Sequence, residues 1–406
     1  MRILVLCSDT GVRIGDGKGA SVHLRAISHA FAALGHAVEV VGIASSDPAG
    51  LDGWQIPVHV VPHPGRSGGL ERERRKLAAT RSVRGRAREV AVRFGPELIY
   101  ERLSLFGTAG MDVVADTGAC HVLEVNALLT AEETAWRGLH LAELARTMEA
   151  EVLGSADLRV AVSEEVLDLV APYAAGAASI VIPNGVDTEL FAPHHDRHRS
   201  RAAFGLPRDA ALLGFTGSIR PWHGLDVAIT ALAGLPERVH LVVAGDGPVK
   251  ADLVRRAVAL GVDHRIHWLG HLPHERVPEM LAACDVALAP YPQLPNFGFS
   301  PLKLYEYLAA GVPVVASDIG QIRQALGGGR WGRLVAPGDA AALASAVGTE
   351  LADLSAARDR ADRAREHALS RHGWTERAAR ILDAAPAHGA PRPASVRAGG
   401  PNVLAR

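Results

Sequence analysis

Short runs of Val, Ile and Leu alternate with longer segments of helical period along most of the chain. The first runs are RILVLCS, VEVVGIAS, VHVVPH, ELIYER, HVLEVNA, LRVAVSE and SIVIPNG, and SVHLRAISHAFAALG, after the first of them, reads as a helix. Continuous apolar runs of this length suit parallel strands covered by helices on both sides, because no face of such a sheet meets water. A second series, ALLGFTGSI, HLVVAGDG, RIHWLGHL, DVALAPY, PVVASD and GRLVAPGD, follows a polar stretch rich in turn formers at Ile182 to Ser200. The pattern predicts an α/β protein of two Rossmann-like, doubly wound domains in tandem, facing a central cleft. The final residues, PAHGAPRPASVRAGGPNVLAR, are rich in Pro, Ala and Gly without period, which predicts a disordered tail over 386–406.

Composition narrows the class. With 406 residues, 48% hydrophobic and 21% charged, the chain can bury two sizeable cores. A formal net charge of -1 gives no general attraction to nucleic acid. Cys7, Cys120 and Cys284 are far apart, lack metal-ligand spacing and lie in or beside apolar runs, so they read as reduced core residues. The start, MRILVLCSDTG, has neither the basic residues nor the long apolar region of a signal peptide, and no apolar run reaches the roughly 18 residues of a membrane span. A cytoplasmic location is expected. The Arg-dense helix predicted over 71–94 reads either as a solvated face or as a peripheral contact for an anionic membrane surface or an acidic acceptor.

Candidate chemistry concentrates in NFGFSPLKLYEYLAAGVPVVASD, Asn296 to Asp318. Ser300 is a favoured N-cap and Pro301 suits the first helical position, so a helix is predicted from Pro301 to Ala310, ended by Gly311. Its free amides and positive dipole end attract an anion, most simply a phosphate or diphosphate, and Gly298 lets a ligand approach the backbone. Lys303 sits in the first turn, where a cation opposes the dipole unless an anion is near. Glu306 shares its helix face and can accept two hydroxyl hydrogen bonds from a ribose; the plain alternative is a solvated Lys–Glu pair. Near the N-terminus GDGKGAS joins the first strand to its helix, so that Gly17 and Gly19 either present amides to a diphosphate or form only a flexible turn.

Five stretches in order, GKGASVHLRAISHAFAALGHAVEVV, IPNGVDTELF, FTGSIRPWHGLDVAI, VVAGDGP and SPLKLYEYLAAGVPVVASD, resemble family 4 glycosyltransferases, retaining enzymes of the GT-B fold that use nucleotide-diphosphate sugars. The resemblance runs from about Met1 to about Ala385. It implies an acceptor-binding domain over 1–185, a nucleotide-sugar domain over 186–365 and a helix over 366–385 that crosses back to the first domain. It also implies a UDP-sugar as donor substrate, no cofactor and no metal, and a small-molecule, glycan or lipid-linked acceptor. Around the donor it places Gly17, Gly19, Gly217, His223, Gly245, Leu272, Gly298, Phe299, Ser300, Pro301, Leu302 and Glu306, with Glu306 at the ribose and the backbone near His271 and Leu272 at the base.

Several positions depart from the family pattern. Ser218 and His223 stand where an Arg and a Lys usually meet the donor phosphates. Arg220 can take over with its guanidinium fork, and His223 can bind phosphate as imidazolium or donate as neutral imidazole, with loss of activity as pH rises through the imidazole range. The first of two acids that the family places on the phosphate segment falls on Gly298, so the sugar is read by the amides of Phe299 and Ser300 or by Lys303, in the SPxK form of the motif. Asn126 stands where the family often has a His beside the reacting carbon; an amide orients a hydroxyl but is no base. Glu124, on the same strand face, is either the nearest carboxylate or a buried partner of Arg102. The implied catalytic set is Lys303, Arg220, Asn126 and Glu124, acting by same-face attack assisted by the leaving phosphate. HHDRH, His194 to His198, carries no metal-ligand geometry. Two other readings remain open: a nucleotide-sugar epimerase of the same fold and a non-catalytic nucleotide-binding subunit.

Overall fold

The computed structural model describes residues 1–45, 48–51, 53–173, 177–192, 195–294, 297–298 and 300–387. Phe299 and nearly all of the tail expected over 386–406 therefore lie outside the described residues. The chain divides into two compact units, one of Met1–Asp16, Phe31–Ile182 and the chain from Ala379, the other of Gly17–Ala30 and Pro183–Ala378.

Each apolar run named above holds a strand. In the first unit these are β1 (Arg2–Cys7), β2 (Arg13–Ile14), β3 (Ala37–Ala44), β4 (Val58–Val61), β5 (Leu98–Arg102), β6 (Cys120–Val125), β7 (Leu158–Ala161) and β8 (Ala178–Val181). They pair in parallel in the order β2-β3-β1-β5-β6-β7-β8, with β4 also on β3. Only β2 escaped the sequence pattern, since two residues carry no period. Leu4, Leu6, Val41, Ile43 and Ile99 pack under Val83, Ala87 and Val90 of the Gly69–Phe94 helix. On the outer side of that helix Arg72, Arg75, Lys76, Arg84, Arg86, Arg88 and Arg93 each ion-pair with a carboxylate, and only Arg74 and Arg81 do not among the described residues.

The second unit holds β9 (Ala211–Thr216), β10 (Val239–Ala244), β11 (Ile266–Gly270), β12 (Val286–Ala289), β13 (Val314–Ser317) and β14 (Arg333–Val335), all parallel in the order β11-β10-β9-β12-β13-β14. Its strands alternate between two cores. Val242, Ala244, Ala287 and Ala316 face Leu304, Tyr307 and Leu308, while Leu241, Val243, Leu288 and Val315 face Leu225, Ala228 and Leu232. Both faces are covered, which explains why the sequence shows unbroken apolar runs. Strand order reverses between β9 and β12, and sheets of this kind bind ligands at the carboxyl ends of the strands beside the reversal.

Candidate active site

The helix after β12 begins at Leu302 and runs to Ala309, with Pro301 as its cap at φ -72° and ψ 111°. This corrects the expected start by one residue. Ser300 does not cap the helix because it is held elsewhere: its Oγ accepts from the Asn184 amide at 2.9 Å and its carbonyl accepts from Asn184 Nδ2 at 2.5 Å. Asn184, in the PNG turn of the linker, is buried. The loop is thus tied to the linker, and the helix end carries no side-chain cap. An uncapped first turn keeps its amides and dipole available to an anion.

Lys303 lies just inside that turn and is only 8% exposed. Its Nζ has no hydrogen-bond partner among the described residues and sits 3.9 Å from the centroid of the Phe215 ring and 5.7 Å from that of Tyr291. Burial pushes the amine down to about 7, against the opposing pull of Glu306. Ring faces compensate a buried ammonium only in part.

The loops after β9, β10 and β11 are knit together by backbone. Gly217 N–H donates to Ala244 O at 2.9 Å, Ile219 N–H to Asp246 O at 2.9 Å and Gly245 N–H to Gly270 O at 2.7 Å. At Gly245 a Cβ would stand 1.9 Å from Gly217 O, so this glycine serves the close approach of two loops and its amide is spent there. Gly217, at φ +120°, leaves room for Lys303: a Cβ on it would lie 3.2 Å from Nζ.

His223 differs from its expected role. Burial above all, helped by the charge of Lys303, pushes its pKa down to about 3. The imidazole is neutral, and because Nδ1 faces the Ser218 carbonyl it must carry the proton there. Nε2 then offers a lone pair, suited to accept a hydroxyl and unsuited to a phosphate oxygen. Burial and the neighbouring Lys303 thus disfavour imidazolium pairing with phosphate at this ring. Arg220 is half-buried beside Trp222, 5.7 Å from the ring centroid, without a carboxylate in salt-bridge range among the described residues.

Glu306 is not the solvated partner of Lys303: its Oε1 accepts from His274 Nε2 at 2.9 Å, with both side chains largely buried. Burial alone would lower His274, but the hydrogen bond and charge of Glu306 outweigh it and raise the imidazole. His274 was not legible as a site residue, since only folding brings the turn after β11 to this helix. Gly19, at the start of the Gly19–Ala33 helix, is close enough to Leu302 that a Cβ on it would meet Leu302 Cδ1 at 3.2 Å, and Gly17 faces His271. Leu272 is half-buried against the core below the site, and Gly298 is half-buried before Ser300.

In the first unit, Glu124 is 2% exposed. Tyr100 donates to Oε2, and Arg102 at 2.6 Å and the Asn126 amide both donate to Oε1. Three donors occupy three of the roughly four lone-pair sites of the carboxylate, which holds Asn126 at the end of β6 and matches the reading of Glu124 as a buried partner of Arg102. Among the described residues no group of three or more His, Cys, Asp or Glu is arranged to hold a metal ion.

Two parallel-sheet, Rossmann-like units in one chain are the architecture of the GT-B fold. The chain belongs to glycosyltransferase family 4. Residues 17–190 match the model of Glycosyltransferase Family 4 and residues 210–353 that of Glycosyl transferases group 1. A D-inositol 3-phosphate glycosyltransferase of Corynebacterium efficiens is 30% identical over 363 residues, 84% of each chain. One from Stackebrandtia nassauensis is 31% identical over 400 residues, covering 91% of this chain and 87% of the relative. One from Xylanimonas cellulosilytica is 37% identical over 248 residues, 58% of each chain. Among solved structures, sucrose-phosphate synthase from Thermosynechococcus elongatus superposes with a TM-score of 0.75 at 21% identity, covering 94% of this chain and 98% of that one. Anabaena HepE in complex with UDP and glucose gives 0.73 at 22%, with the same coverage. The chain is a retaining, nucleotide-sugar-dependent glycosyltransferase, and the epimerase and binding-only readings fall away.

Proposed function

We propose that this enzyme transfers the sugar of a UDP-sugar to a hydroxyl of a small cyclitol or cyclitol phosphate, with retention of configuration. The observation that carries the donor half is the buried ammonium of Lys303, without a hydrogen-bond partner among the described residues, at a helix end with no side-chain cap. The cyclitol half is supported by the relatives, which are named for D-inositol 3-phosphate. In this reading the diphosphate lies on the first turn of the Leu302–Ala309 helix, with Lys303 and Arg220 taking up charge as the bond to the anomeric carbon breaks. Glu306 accepts the ribose hydroxyls, and the backbone near Leu272 meets the base. The acceptor oxygen bonds to the anomeric carbon on the face the phosphate leaves, and its proton passes to the departing phosphate oxygen. Asn126, fixed by Glu124, orients the acceptor. Thermal shift with UDP, ADP and GDP tests the donor: a nucleotide at 100 times its Kd stabilises by about 2.7 kcal/mol. Shifts with UDP alone, and UDP release that requires a cyclitol, are expected; a shift with GDP or ADP only overturns the uridine assignment.

Donor affinity should fall as pH rises above about 7. The sign follows from the cation: below that value Lys303 already carries its proton, whereas above it the proton must be taken up for the amine to meet phosphate. The loss approaches tenfold per pH unit. Affinity measured from pH 6 to 9 checks this, and a flat profile contradicts it.

The proposal also places the acceptor in solution. No helix among the described residues is long and apolar enough to cross a membrane, and only Arg74 and Arg81 on the Arg-rich helix lack an ion pair. At about 1 kcal/mol per basic residue near an anionic surface, two free cations bind weakly. Sedimentation with anionic vesicles at 0.15 M salt should leave the protein in the supernatant, and pelleting would return the acceptor to the membrane.

A further inference from the structure

His274 holds the carboxylate that the proposed function assigns to the ribose, and its own setting is built from the linker. It opens the turn His274–Arg276 after β11, 2.9 Å from Glu306 Oε1. Phe191, fully buried, backs the imidazole with ring centroids 5.4 Å apart. Phe191 arrives there through a tight turn in the motif NGVDTELF. Asp187 Oδ1 accepts from the amides of Glu189 and Leu190, at 3.1 and 2.9 Å, and Asp187 O accepts from the Phe191 amide at 3.0 Å. The imidazole is thus fixed by an aromatic ring on one side and a carboxylate on the other. Its Nδ1 is buried with no hydrogen-bond partner among the described residues. A buried polar atom without a partner is costly, and a side chain kept only for packing would avoid it.

We infer that His274 is a positioning residue for donor selection: by occupying Oε1 it fixes the Glu306 carboxylate with Oε2 toward the ribose, so that the enzyme distinguishes ribonucleotide from 2′-deoxyribonucleotide donors. The inference rests on the reading that Glu306 receives the ribose. A glutamate free on a helix face samples several rotamers and must be ordered on binding, whereas one held by a neighbour is ordered beforehand. Strong rejection of a ligand lacking one hydroxyl requires that the site's acceptor be left unpaired, and a mobile carboxylate escapes by turning to water. Discrimination should therefore depend on His274 more than binding itself does.

The test measures Kd for UDP and 2′-deoxy-UDP by calorimetry in wild type, Glu306→Gln, His274→Ala and His274→Gln. Wild type should prefer UDP by about tenfold or more, and Glu306→Gln should lose that preference. His274→Ala should reduce it to about threefold or less by weakening UDP while 2′-deoxy-UDP changes little. His274→Gln, whose amide can still donate to Glu306, should restore most of it, and remains informative if the alanine variant fails to fold. A variant that weakens both ligands equally, leaving the ratio intact, overturns the inference and makes His274 merely structural. A ratio unaltered in Glu306→Gln instead brings down the ribose reading, and this inference with it.

Discussion

Lys303→Ala is expected to lower turnover by a factor of about 100 or more, with a smaller change in donor affinity. Diphosphate charge grows as the glycosidic bond breaks, so a fixed ammonium at the helix end gains most in the transition state. Lys303 suits this because it is buried and its Nζ has no hydrogen-bond partner among the described residues. A second consequence separates this role from a structural one. The free enzyme bears the cost of the buried amine, so its removal should leave thermal stability unchanged or raised. A lower melting temperature together with unchanged turnover would make Lys303 part of the core. Arg220, half-buried on Trp222, should show a smaller effect of the same kind.

Glu306→Gln should weaken donor binding by about 1.5–3 kcal/mol, roughly 10- to 150-fold, because the loss of charge weakens two hydroxyl hydrogen bonds. The fold should survive, since the helix is anchored by Leu304, Tyr305, Tyr307 and Leu308 rather than by Glu306. The substitution also removes what holds His274 up against burial, so its imidazole should titrate at lower pH. Calorimetry with UDP and an NMR titration of the His274 ring read the two effects independently. Unchanged UDP affinity would take Glu306 out of the donor site.

What was legible in the sequence followed from periodicity and local chemistry. Parallel strands buried on both faces leave unbroken apolar runs, so among the described residues thirteen of the fourteen strands lay within stretches read as such, and two-residue β2 did not. Lys303 and Glu306 were legible because a Ser-Pro start and helical spacing are short-range signals. The helix start was misplaced because Ser300 looked free to cap, and nothing local reveals that Asn184, far away in sequence, has claimed it. The same limit hid His274 and left Glu124 undecided between nearest carboxylate and buried partner of Arg102, because the cluster of Tyr100, Arg102 and Asn126 around it forms only on folding. For His223 the sequence left imidazolium and neutral donor open, because the burial that lowers its pKa and the Ser218 carbonyl that fixes the proton on Nδ1 are tertiary facts.

The central claim is that the donor diphosphate rests on Lys303 at the start of the Leu302–Ala309 helix. Its most direct test is calorimetry of UDP and uridine at about pH 8, in buffers of different ionisation enthalpy, on wild type and Lys303→Ala. The account predicts that wild type binds UDP at least about tenfold tighter than uridine, taking up close to one proton per UDP, and that the uptake disappears in Lys303→Ala. Equal affinities for UDP and uridine, or a proton uptake that persists without Lys303, would contradict it.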